Sequence, residues 1–250
     1  MDRDDIYKKL KKEFEATFID ELIPGILHNF ANPLNGIMGR SKLLQRRLGE
    51  SIKKINERFP EIDSEIMEDH KKLIDDVDLI TDETDRFLNM FQVVAEKFYI
   101  ISNTSMQRIN LSDLIETEMR FSEFYLDLKH HVKKTVNLDS ELPEITGVPA
   151  YYSICLSTFI RHSMDAMKNS PIKEFLISTS CDDRSVCVKI QDTGASISED
   201  ERKSLLKDPP VPENACSDLF YALLLLKKYD VRFQVYREAG MNALSIEAPY

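Results

Sequence analysis

The 250-residue chain has no tryptophan, only seven glycines and four cysteines. Cys155, Cys181, Cys187 and Cys216 have no metal-site spacing and form no CxxC pair. They read as small core or surface residues of a reducing compartment. No stretch approaches the ~20 apolar residues of a membrane span. The opening residues, MDRDDIYKKLKKEF, lack the apolar run of a signal peptide. A cytoplasmic chain with no membrane contact is therefore expected. Lys and Arg number 33 against 43 Asp and Glu, a net charge of −10. That balance argues against general nucleic-acid binding.

The apolar share is 42%, and the length suits one large domain or two modest ones. The chain is organised around Leu22 to Leu48. There Leu27, Phe30, Leu34, Ile37, Ser41, Leu44 and Leu48 recur in alternating steps of three and four, the seam of a helix that packs lengthwise on another. His28 stands beside that seam, and Asn32 and Asn35 share its face. A histidine near a helix seam is as a rule structural. Its company argues for more. Pro33 removes a donor from the helix ladder, and Gly36 and Gly39 thin the helix. One reason to keep such glycines is the close approach of another chain.

Ahead of this stretch, Ile6, Leu10, Phe14 and Phe18 mark an amphipathic helix over residues 4 to 20. After it, helical pattern runs to about Arg58 and turns at Phe59-Pro60. A second long helix is expected from Ile62 to Ile101, with its seam at Leu73, Val77, Ile80, Thr84, Phe87, Phe91, Val94 and Phe98. The two form an antiparallel hairpin. One hairpin leaves a long apolar seam uncovered, and a second copy across a two-fold axis closes it as a four-helix bundle. By register, the neighbours of His28 on the second helix fall near Arg86 to Val94.

The box His28-Asn29-Phe30-Ala31-Asn32-Pro33-Leu34, followed by Asn35-Gly36-Ile37, resembles the phospho-accepting histidine box of two-component histidine kinases. That box runs His, an acid, two variable residues, Thr or Asn, Pro, Leu. This chain keeps His28, Asn32, Pro33 and Leu34. It departs at Asn29, where active kinases carry the carboxylate that serves as general base. An amide does not accept that proton.

Past a short linker at Ser102 to Ser105, the composition changes. The pattern predicts a strand at Gln107 to Ile109 and a helix capped at Asn110 or Ser112 that runs to about His130. A strand over His131 to Leu138, a loop over Pro143 to Pro149 and a helix over Ala150 to Lys168 follow. Glu174 to Thr179 and Val186 to Gln191 make a hairpin. Helices at Glu199 to Lys207 and Asp218 to Lys228, and strands at Val231 to Tyr236 and Asn242 to Glu247, complete an α/β sandwich. The expected fold class is α+β, with residues 1–103 the dimerising helical domain and 104–250 the sandwich. The order of elements resembles the ATP-binding domain of the same kinases.

The resemblance implies three nucleotide motifs. The family's helical box, Asn-Leu-Leu-x-Asn-Ala-x-Asp-Ala-Met, is Thr158 to Met167 here. The magnesium-binding Asn is replaced by His162, a poor ligand for an oxygen-seeking ion. The adenine-binding Asp-Thr-Gly is kept as Asp192-Thr193-Gly194, but Ser196 stands where a glycine follows. The phosphate-wrapping glycines are gone. The chain reads Asn214-Ala215-Cys216-Ser217-Asp218-Leu219, and no glycine occurs between Gly194 and Gly240. Asp218 would also oppose a phosphate at a helix N-terminus. Asp192 and Gly194 are thus expected as remnants, with no nucleotide or metal held by this chain.

What the resemblance implies is a dimeric histidine phosphotransferase with a degenerate ATP-binding domain. His28 takes a phosphoryl group from one response-regulator receiver domain and passes it to another. Mg²⁺ comes from the receiver, and Asn29 or Asn32 orients the ring or the phosphoryl group. The alternatives are a receiver phosphatase that uses Asn32, a divergent ATP-dependent histidine kinase, and a dimeric binding protein without transfer chemistry.

Overall fold

The computed structural model describes residues 23–61, 64–199, 202–203 and 217–250. They divide into two compact units, the first ending at Phe98 and the second beginning at Tyr99. The helix expected over residues 4 to 20, most of the one at Glu199 to Lys207, and the Asn214 to Cys216 stretch lie outside the described residues.

Two long helices carry the first unit, α1 (Ile23–Arg58) and α2 (Ser64–Ser102). Helix α1 runs through Pro33. The proline costs one ladder hydrogen bond there and does not end the helix. Phe59 N donates to Ile55 O (2.8 Å) at the turn. Gln45 Nε2 donates to Asp78 Oδ1 (2.8 Å), and Lys42 faces Asp85 (3.7 Å). These pairs set an antiparallel register that carries position 28 to about Ala95 or beyond, past the Arg86 to Val94 expected for it.

The seam read from the sequence separates into two rows. One row is covered: Ser41 is buried and Leu27, Leu34 and Leu48 are half-buried, while Val77, Thr81, Thr84 and Val93 are buried on α2. The threonine hydroxyls bond back to their own helix, Thr81 to Val77 O (2.8 Å) and Thr84 to Ile80 O (2.6 Å), which lets them sit in an apolar seam. The other row is uncovered. Phe30, Ile37 and Leu44 on α1, and Leu73, Ile80 and Phe87 on α2, are each 47–53% exposed. Each set repeats every seven residues, so it forms a continuous stripe.

In the second unit, strands β2 (Lys133–Asn137), β4 (Glu174–Cys181), β5 (Ser185–Asp192), β6 (Arg232–Glu238) and β7 (Met241–Pro249) form one sheet in the order β2-β4-β5-β7-β6. Only β2 and β4 pair parallel; the other neighbours are antiparallel. Phe175, Ile177, Val186, Val188, Ile190 and Ile246 bury one face of this sheet. Against them lie Ile115 and Met119 of α3 (Leu111–Ser122), Leu156, Phe159 and Ile160 of α5 (Pro149–Met167), and Leu223 and Leu226 of α6 (Ser217–Lys227). This is a two-layer α/β sandwich.

Two expectations need correction. The helix expected to run from Asn110 to His130 is two helices, α3 and α4 (Leu126–His131). The chain tightens between them through Phe124 N to Phe121 O (3.1 Å) and Tyr125 N to Ser122 O (2.9 Å). Turning there brings Leu128 into the core with no exposure, which a straight continuation would not do. The Pro143 to Pro149 loop contains a short strand, β3 (Ile145–Gly147), antiparallel to β1 (Gln107–Ile109). Asn110 caps α3 as expected. Its Oδ1 accepts from Ser112 N (2.8 Å) and Asp113 N (3.2 Å), and its Nδ2 donates to Leu142 O (3.1 Å). The cap therefore also pins the loop that leads to β3.

Between α3 and α5 sits a fully buried carboxylate. Glu118 accepts from Ser153 Oγ (2.5 Å) and Ser157 Oγ (2.6 Å), one on each oxygen. Burial of a carboxylate is tolerable only with such partners.

Candidate functional site

The histidine box lies wholly within α1. The expectations for the His28 and Asn29 side chains lie outside the described residues. Asn32, Pro33 and Asn35 are exposed, and Ala31 and Leu34 are half-buried. Nothing lies within 4 Å of where a Cβ would stand on Gly36 or Gly39. Their smallness answers to no packing demand inside the described chain. Leu34 also borders an open apolar groove with Leu79, Ile80, Glu83, Thr84 and Phe87. This groove follows the exposed stripe of the hairpin.

The residues of the expected nucleotide motifs do converge. Helix α5, strands β5 and β7 and the loop after β5 enclose a cavity of about 30 Å³ lined by Phe159, His162, Asp192, Ile197, Leu219 and Asn242, among others. That is roughly the room of one water molecule. The loop is held down firmly. Gly194 packs on the backbone of α5, where an added Cβ would stand 2.6 Å from Ala166 C and 2.8 Å from Ala166 O. Only glycine fits that approach. Ala195 N donates to Ala166 O (2.9 Å) just beyond it. Thr193 Oγ1 donates to Ile172 O (2.6 Å) and accepts from Glu174 N (3.0 Å), tying the loop to the start of β4.

Asp192 is buried at the end of β5, and its Oδ1 accepts from Gly194 N (2.8 Å). The same oxygen accepts from Asn242 Nδ2 (2.8 Å). That amide also reaches Gly194 O and Ala195 O, both at 3.1 Å. Asn242 escaped the sequence reading because it acts through pairing of β5 with β7, which sets Asp192 beside Asn242. No local motif marks it.

Asp218, in the first turn of α6, pairs with Arg161 of α5 (2.5 Å). The arginine before His162 thus meets a carboxylate. Among the described residues, no group of three or more His, Cys, Asp or Glu side chains is placed to hold a metal ion. His162 lines the cavity, but an imidazole is a poor partner for Mg²⁺.

Comparison with known proteins supplies the fold. No family model matches the sequence, and no curated protein does. The nucleotide-free catalytic domain of histidine kinase ThkA superposes with a TM-score of 0.50 at 12% identity, covering 58% of this chain and 97% of that domain. The α/β unit has the fold of a histidine-kinase catalytic domain. Full-length ShkA, solved in complex with AMPPNP, gives 0.46 at 19% identity over 92% of this chain and 45% of that one. Acinetobacter baumannii histidine kinase AdeS gives 0.45 at 11% identity over 82% and 93%. No helix among the described residues is long and apolar enough to cross a membrane.

Proposed function

We propose that this chain is a histidine phosphotransferase that relays a phosphoryl group between response-regulator receiver domains. The observation that supports it is the contrast between its two sites. The histidine box sits on a continuous helix with open space beside Gly36 and Gly39, while the nucleotide motifs lack the family's later glycines and carry His162 where the family has its magnesium-binding Asn. A chain that receives phosphate from an aspartyl phosphate needs the first and not the second.

A ring nitrogen of His28 attacks the phosphorus of the receiver's aspartyl phosphate in line. The N–P bond forms as the P–O bond to the aspartate breaks, and the carboxylate leaves. The second ring nitrogen keeps its proton or shares it with a neighbour. Mg²⁺, the acidic pocket and the receiver's lysine stabilise the transferring group. In the second half-reaction, a carboxylate on another receiver takes the phosphoryl group back from nitrogen. Asn32, exposed one turn beyond His28, orients the approaching phosphoryl group. Position 29 is an amide, so the residue that follows the histidine supplies no base for attack on ATP.

The active form is a homodimer. The stripe formed by Phe30, Ile37, Leu44, Leu73, Ile80 and Phe87 is too long and too apolar to face water without a partner. A second hairpin buries it as a four-helix bundle.

Purified phosphorylated receiver domains, incubated with wild type and with His28→Ala, test the transfer. Label reaching the wild type alone supports it. A receiver that loses phosphate equally fast with either protein supports instead a phosphatase built on Asn32. Label taken directly from ATP supports a divergent kinase.

A further inference from the structure

We infer that two rows of opposite charge, Arg40, Arg47 and Lys54 on α1 and Glu83, Asp76 and Asp69 on α2, select a second copy of this chain as the hairpin's partner and set its register. The inference rests on the dimer reading above and names what recognises the partner. Each row stands three residues after positions of the exposed stripe. Arg40, Arg47 and Lys54 follow Ile37, Leu44 and Ser51, and Asp69, Asp76 and Glu83 follow Ile66, Leu73 and Ile80. Ile66 is 46% exposed and extends the stripe by one heptad. The covered row lies four residues after the stripe instead, at Ser41 and Leu48 and at Val77 and Thr84. On a helix, steps of three and of four fall on opposite sides of the starting residue. The charged rows therefore flank the stripe on its outer edges, away from the contact between α1 and α2, and all six side chains are exposed.

Arg40, Arg47 and Lys54 make no ion pair with an acid among the described residues. Asp69 and Glu83 meet only Lys72 (3.2 Å) and Arg86 (3.5 Å), one turn along their own helix and in water, where such pairs are weak. The hairpin's own register then matches the two rows. Gln45 Nε2 bonds Asp78 Oδ1 across it. Counted from that pair in the antiparallel sense, Arg40 stands level with Glu83, Arg47 with Asp76 and Lys54 with Asp69. A two-fold axis parallel to the helices keeps those levels and sets α1 of one protomer against α2 of its partner. Every cation then meets an acid along the outer edge. A two-fold axis across the helices would lay α1 on the partner's α1 and bring cation against cation. Charges beside an apolar seam choose partner and orientation in this way.

The test is sedimentation equilibrium of the full 250-residue chain at low salt, with two charge-reversed variants. One carries Arg40→Glu, Arg47→Glu and Lys54→Glu; the other carries Asp69→Lys, Asp76→Lys and Glu83→Lys. Glutamate and lysine are both good helix formers. Each variant alone is expected to dimerise on the order of a hundred-fold more weakly than wild type. An equimolar mixture is expected to recover the wild-type affinity as a heterodimer, because both outer edges are complementary again. The differences should shrink in about 1 M salt. Variants that dimerise alone as tightly as wild type, or a mixture no tighter than its components, overturn the inference and leave the dimer standing. A monomeric wild type defeats the dimer reading, gives the stripe to a different protein, and takes the inference with it. The single reversals Arg47→Glu and Asp76→Lys, judged by the same outcomes, serve if circular dichroism shows that the triple variants have lost helix.

Discussion

Replacing Ile80 by Glu tests the dimer through its own geometry. Ile80 is 51% exposed, stands mid-stripe on α2 and borders the groove with Leu34 and Phe87. Full burial of such a side chain is worth about 1.5–3 kcal/mol, so the exposed half has about 1 kcal/mol still to gain. In a two-fold dimer the loss counts twice, giving at least ~2 kcal/mol before any cost of desolvating two carboxylates. That corresponds to roughly a thirty-fold weaker Kd. Glutamate is a good helix former, so the hairpin itself is spared. Sedimentation equilibrium over a concentration series reads the change, and circular dichroism checks helix content. A wild type that stays monomeric across the series would refute the reasoning. So would a variant that dimerises as tightly as the wild type.

Three further outcomes follow from the α/β unit. Gly194→Ala forces a Cβ to within 2.6 Å of the α5 backbone, an overpacking cost of about 1–3 kcal/mol; a thermal melt should drop by at least ~2 °C, and an unchanged midpoint would contradict the close approach. Asn110→Ala removes the α3 cap and the bond to Leu142 O, with an expected loss of about 1–2 kcal/mol in urea unfolding at an unchanged slope. Burial pushes the Cys155 thiol up from 9.0 to about 12, so native protein at pH 8 should alkylate exposed Cys181 and spare Cys155. The unfolded chain loses that thiol proton near 9 while the folded chain keeps it. This group's contribution to stability is therefore complete below pH 9 and falls as pH rises toward 12.

Much of the architecture is written in local pattern. Steps of three and four from Leu27 to Leu48 and from Leu73 to Phe98 specify two long helices, and α1 and α2 are found there. Alternation through Phe175, Ile177, Val186, Val188 and Ile190 specifies the β4–β5 hairpin. What pattern does not carry is pairing across distance. Ile145 to Gly147 is too short to alternate and lies between prolines, so β3 exists only through its register with β1. The break after Ser122 follows from the need to seat Leu128 in a core whose walls come from elsewhere in the chain. The division of the hairpin seam into a covered and an uncovered row depends on the register fixed by Gln45 and Asp78.

The candidate sites divide in the same way. The histidine box and the Asp192-Thr193-Gly194 turn are contiguous, and motif reading finds them. The amide on Asp192 comes from position 242, fifty residues away. The carboxylate facing Arg161 comes from position 218, fifty-seven residues away. Asp192 meets Asn242 through the pairing of β5 with β7, and Arg161 meets Asp218 through the approach of α5 to α6.

The most direct test of the account is phosphoryl transfer itself. A labelled, phosphorylated receiver domain is mixed with the wild-type chain, and the label is followed for its chemical stability. The account predicts label on the wild type that is acid-labile and base-stable, as a phosphohistidine is, that moves on to a second receiver, and that is absent from His28→Ala. Label on His28→Ala, or label that arrives from ATP in the absence of any receiver, would contradict it.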